Sequence, residues 1–149
     1  MEGPMAISEK TLLLKRIDIF AGLTVSELSA IASITEEIDY PPDAQVICQG
    51  DSGETLYLII SGKVGVEKRL EDGTEMELDQ ISAGDYFGEM ALFRDPKRSA
   101  SIVTLEPTRL LFLHKQEFND MVLEYPQIAL AICNALSERI RKLHQKMKA

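Results

Sequence analysis

A glycine, a carboxylate and a guanidinium fall within the stretch Gly84–Ala100, and their types suit recognition of a sugar phosphate. Gly88 allows a positive φ or a close backbone approach to a ligand. Glu89-Met90-Ala91-Leu92 has good helix propensity, and a single turn beginning near Gly88 would present free N–H groups to an anion. Arg98 follows an Asp95-Pro96 turn that can fold it back over that turn. Its planar fork matches a phosphate diester. The Glu89 carboxylate only accepts hydrogen bonds, which suits a ribose hydroxyl and rejects a phosphate. Ser99 adds a small hydroxyl beside the arginine. The same residues also fit a solvated loop in which Glu89 and Arg98 form a surface ion pair worth less than ~1 kcal/mol. Spacing alone favours the solvated loop.

The elements that must position these residues come in three regimes. Up to about residue 34 the chain reads as helical, with Leu12–Leu14, a break at Ile19–Leu23, and a capping-box pattern at Thr24-Val25-Ser26-Glu27. From about 35 to 114 the pattern shortens to strand-like runs. They are Glu37–Tyr40, Gln45–Gln49, Thr55–Ser61, Lys63–Leu70, Glu75–Ile81, Ser99–Thr104 and Thr108–His114. Turn residues separate them: Gly50–Gly53, Ser61-Gly62, Asp72-Gly73, Ala83–Asp85 and Glu106-Pro107. Many short strands at this spacing predict a barrel or double-sheet jelly roll.

After His114 the helical period returns. Lys115–Tyr125 is a short amphipathic segment, and Pro126 suits the first position of a longer helix. Its apolar positions are Ile128, Ile132, Leu136, Ile140, Leu143 and Met147. At 1.5 Å per residue this helix reaches roughly 33 Å, longer than a small barrel needs. It either caps the core or pairs with a second chain, in which case the partner expected is another copy.

Composition narrows the function classes. The 149 residues suit one domain spanning 1–149, with a helical lead-in at about 10–34, a barrel at about 35–114 and C-terminal helices at about 115–148. Sixteen Lys plus Arg against twenty-four Asp plus Glu leave a net charge of −8. Such a balance disfavours gripping nucleic acid, as does the lack of room for a helix-turn-helix after the long helix. It permits one small anion, because a local site need not follow the global sign. Cys48 and Cys133 lie far apart in apolar-leaning segments, which predicts reduced thiols and a cytoplasmic setting. No window is apolar enough for membrane insertion. His114 and His144 stand alone, so no metal site is expected, and neither cysteine has a histidine nearby to activate it. No enzyme and no cofactor are expected.

Gly84-Asp85-Tyr86-Phe87-Gly88-Glu89-Met90-Ala91-Leu92, closed by Arg98-Ser99-Ala100, closely resembles the phosphate-binding cassette of cyclic nucleotide-binding domains. The nine-position gap from Glu89 to Arg98 matches as well as the residue types. Leu56–Val66 resembles the family's strand pair with its glycine turn, and Leu12–Leu28 its N-terminal helical segment. The resemblance covers about residues 10–145. It implies a mainly β fold: an eight-stranded jelly-roll barrel with an N-terminal helical segment and C-terminal lid or dimerisation helices.

The implied function is a regulatory module that binds cAMP, less readily cGMP, and couples binding to movement of its C-terminal helices. Arg98 would hold the exocyclic phosphate, helped by backbone N–H groups near Ala91 and Ser99. Glu89 would accept the ribose 2′-OH, with Gly88 giving close approach, and Phe87 is also expected among the ligand-binding residues. Met90 and Val64 would flank the base. In the catabolite-activator type the long helix brings hydroxyl residues to the adenine edge. Here Leu143 falls where a threonine would, so that either Arg139 or His144 contacts the base or the base sits against a purely apolar cover. The rival within the family is a member that binds no nucleotide and serves as a protein-interaction module.

Overall fold

The computed structural model describes residues 4–89 and 97–148. Contacts divide the chain into a strand-rich unit, Thr35–Glu117, and a helical unit built from the segments before and after it. In the helical unit α1 (Ile7–Lys15) packs on α2 (Val25–Ser33), and a 3-10 turn at Asp18–Phe20 packs on α4 (Gln127–Lys148). The expected capping box starts α2. Thr24 Oγ1 accepts from Glu27 N at 3.2 Å, and Glu27 Oε1 accepts from Thr24 N at 2.8 Å. The short helix α3 (Lys115–Glu124) follows the last strand directly, and Pro126 lies in the turn before α4, one position outside the helix.

The strands are β1 (Glu36–Tyr40), β2 (Gln45–Ile47), β3 (Thr55–Ser61), β4 (Lys63–Arg69), β5 (Glu75–Ser82), β6 (Tyr86–Phe87), β7 (Ser101–Thr104) and β8 (Thr108–His114). They form two antiparallel four-stranded sheets, ordered β1-β8-β3-β6 and β2-β7-β4-β5. Central strands carry the near-continuous apolar runs, as in β3 with Leu56, Leu58 and Ile59 buried. The edge strand β5 is exposed along most of its length and bears Glu75, Glu77 and Asp79. Charges there discourage pairing with another strand. Between the sheets lies one apolar cluster. Ile59, Phe87 and Leu110 come from the first sheet, Ile47, Val64 and Ile102 from the second.

This corrects the expectation of a mainly β, eight-stranded closed barrel. Among the described residues no ladder joins one sheet to the other, so neither sheet closes, and helices hold more residues than strands. The fold is mixed α/β. Closure requires edge strands long enough to continue a ladder, and β2 has three residues and β6 two. The donors beside β2 are already committed: Asp43 N to Thr104 O at 2.9 Å and Ala44 N to Thr104 Oγ1 at 2.8 Å. Strand β6 itself is absent from the sequence reading, because two residues are too few to show alternation. The strand expected from Ser99 starts instead at Ser101.

Thr104 is fully buried, and its hydroxyl also donates to Pro41 O at 2.6 Å. Thr104→Val keeps the shape but strands a buried donor and acceptor. Stability should fall by about 1–3 kcal/mol in chemical denaturation, with ligand affinity unchanged.

Candidate functional site

The site is built around Arg98. Its backbone joins the turn at Gly50–Gly53: Arg98 N donates to Asp51 O at 2.8 Å, and Gly50 N donates to Arg98 O at 2.8 Å. The residue is only 9% exposed. Nη2 donates to Thr55 O at 3.0 Å and Nη1 to Gly88 O at 3.3 Å. Two glycines make the slot it occupies. A Cβ on Gly53 would stand 2.9 Å from Nε and Nη2, and one on Gly88 would stand 2.9 Å from Nη1 and 2.7 Å from Thr55 O. Gly88 also has φ +84°, a conformation other residues resist.

Among the described residues no carboxylate forms an ion pair with Arg98. The surface Glu89–Arg98 pair that the residue types also allowed is therefore not what forms. Burial pushes the guanidinium pKa down, while Tyr57 and Glu89 act in the opposite direction. It remains a cation throughout the physiological range. Two neutral carbonyls orient the fork and leave its other donors and its charge for an anion.

A cavity of about 220 Å³ opens beside this group. Gly88, Glu89, Arg98 and Ser99 form its polar end, and Ile47, Val66, Ile81 and Ile102 its apolar wall. Phe87 also lines it and stacks on Tyr57, ring centroids 5.0 Å apart. Burial raises the Tyr57 hydroxyl pKa, with Tyr40 adding to the rise and Arg98 opposing it. A larger hollow of about 650 Å³ shares Lys97, Arg98 and Ser99. Its other charges include Arg69 and Glu75, which pair with each other at 3.5 Å. The smaller cavity is the one that sets Arg98 beside Glu89 and an apolar wall.

Of the site residues expected from sequence, Phe87, Gly88, Glu89, Arg98 and Ser99 line this one cavity. Met90 and Ala91 lie outside the described residues. Val64 is fully buried in the apolar cluster and does not line the cavity; Val66, one repeat further along the same face of β4, does. Arg139 belongs to the helical unit, where its Nε lies 3.6 Å from Asp18. Gly53 and Thr55 escaped the sequence reading. Gly53 was legible only as a turn residue, and Thr55 contributes a carbonyl that any residue would supply.

Residues 37–125 match the cyclic nucleotide-binding domain family. The chain belongs to that family. Among curated relatives, a CRP-like cAMP-activated global transcriptional regulator from Mycobacterium tuberculosis is 29% identical, over 91% of this chain and 60% of its own length. A cGMP-dependent protein kinase from Caenorhabditis briggsae is 32% identical, over 73% of this chain and 15% of its own. This cyclic nucleotide-binding domain also resembles the N-terminal domain of a transcriptional regulator from Streptomyces coelicolor A3(2). That match has a TM-score of 0.79 at 27% identity, covering 91% of this chain and 94% of the other. The chain spans about three-fifths of the length of the first curated relatives it matches. The domain is a regulatory binding module rather than an enzyme. No helix among the described residues is long and apolar enough to cross a membrane.

The two glycines of the slot should respond differently to alanine. Gly88→Ala meets backbone and a strained φ, and should destabilise the fold by about 1–3 kcal/mol. Gly53→Ala meets only the end of a flexible side chain. It should leave the melting midpoint within a few degrees while weakening cyclic nucleotide binding, as paired calorimetry and thermal melts would show.

Proposed function

We propose that this chain binds cAMP, with cGMP the weaker ligand, in the cavity between Glu89 and Arg98. The observation that carries the reading is Arg98, a residue only 9% exposed whose guanidinium has no carboxylate partner among the described residues. A cyclic phosphate supplies the missing negative charge, and the fork can meet two of its oxygens. Glu89 accepts the ribose 2′-OH. Ser99 stands beside the phosphate, and the base leaves the polar end toward the apolar wall of Val66 and Ile81. The preference for cAMP is supported by its naming in the relatives from Mycobacterium tuberculosis and Thermus thermophilus, matched over 91% and 87% of the chain; cGMP-dependent kinases match over 73% and 80%.

Binding then shifts the population of positions available to α3 and α4, by no more than the ligand's differential affinity for them. The partner read for α4 is a second copy of the chain. Ile140, Leu143 and Met147 are 65%, 54% and 84% exposed, an apolar row along the outer turns. Nucleic acid is not a ligand in this reading, consistent with the net charge of −8.

Arg98→Ala should weaken cAMP binding by about 2–5 kcal/mol, the scale of truncating one partner of a buried charged pair. A loss below about threefold would misplace the phosphate. Glu89→Gln should cost less, and its effect should shrink with a 2′-deoxy ligand; an equal loss with both ligands removes the ribose assignment. Calorimetric titration with cAMP and then cGMP gives the preference directly. A folded chain that binds neither would instead be a protein-interaction module.

A further inference from the structure

The carbonyls of two successive residues carry different loads. Thr55 O accepts from Nη2 of Arg98 at 3.0 Å, and Gly88 closes against the same oxygen. Glu54 O accepts from Lys115 N at 2.8 Å, and Lys115 is the first residue of α3. Side chains repeat the link. Thr55 is the register partner of His114, the last residue of β8, and Thr55 Oγ1 lies 3.0 Å from His114 Nδ1. A row of rings leads to the same histidine: Phe87 on Tyr57, Tyr57 at 6.2 Å from Phe112, and Phe112 edge-on to His114 at 5.5 Å.

We propose that Thr55 and His114 are a positioning pair, holding the Thr55 carbonyl where Arg98 needs it and tying that grip to the first residue of α3. The proposal rests on the reading of Arg98 as the phosphate ligand. Successive carbonyls of an extended strand point to opposite sides, and each peptide plane is rigid. An anion that draws the guanidinium toward itself therefore loads Thr55 O, and the adjoining plane passes the displacement to Glu54 O and Lys115 N. Linkage makes the effect reciprocal: whatever steadies the start of α3 tightens the phosphate grip by the same factor.

The test uses the full chain, cAMP, and amide hydrogen exchange read at Lys115. Thr55→Val keeps the β-branched shape and the carbonyl and deletes only the hydroxyl. Affinity should fall about threefold to tenfold, the scale of one hydrogen bond, with the melting midpoint within a few degrees. Thr55→Ser should restore it. In the unaltered chain saturating cAMP should slow Lys115 exchange at least about tenfold, and in Thr55→Val by less than about threefold. His114→Ala, at the exposed end of its strand, should behave like Thr55→Val and serves if that variant does not fold. Undiminished protection of Lys115 in both variants overturns the proposal. So does cAMP binding by the unaltered chain with unchanged exchange at Lys115, although nucleotide binding then stands. Failure to bind either nucleotide removes the binding reading and the coupling with it.

Discussion

A guanidinium withdrawn from water must be held by hydrogen bonds and must find a negative charge, or its burial is a net cost. Arg98 meets the first requirement with two backbone carbonyls, Thr55 O and Gly88 O, and in the proposed function a ligand meets the second. The surrounding chain is arranged to keep that group in place. The turn at Gly50–Gly53 clasps its backbone, β3 presents one carbonyl, and the residue after β6 presents the other. The two glycines on either side are there because the fork fills the space a Cβ would take.

The apolar half of the site follows from how the two sheets face each other. Ile47, Val64 and Ile102 interlock with Ile59, Phe87 and Leu110, and Ile47, Phe87 and Ile102 of that cluster also line the cavity. One step further along β4, Val66 packs against that cluster and also lines the cavity, which Val64 does not. The short edge strand β6 matters for the same reason. Two ladder residues seat Phe87 in the core, and the chain then leaves the ladder at Gly88 with φ +84°. Glu89 is thereby carried to the cavity mouth rather than along the sheet.

Membership of the cyclic nucleotide-binding domain family gives this arrangement its chemical meaning. A cyclic phosphodiester carries a single charge and a sugar hydroxyl close together, and the cavity is lined by the cations Lys97 and Arg98 and the Glu89 carboxylate. The absence of a Glu89–Arg98 ion pair among the described residues is what the proposed division of tasks between the two groups requires. A carboxylate bound to the arginine would compete with phosphate, and the affinity would be lower by the energy needed to break that pair.

Much of this protein was legible one segment at a time. The Thr24–Glu27 capping box, the Asp72-Gly73 turn between β4 and β5, the extents of β3 and β8, and the residue types at 87–89 and 98–99 are set by local spacing. Such features depend on neighbours two to four positions apart, and side-chain identity reports them. What only the tertiary structure decided involves partners far apart in the chain. That the sheets stay open, that Val66 rather than Val64 lines the cavity, and that Arg98 is gripped by Thr55 and Gly88 instead of Glu89 are of this kind. The last has the plainest physical cause. A carbonyl oxygen is present on every residue, so no side chain in the sequence marks the one that holds the arginine.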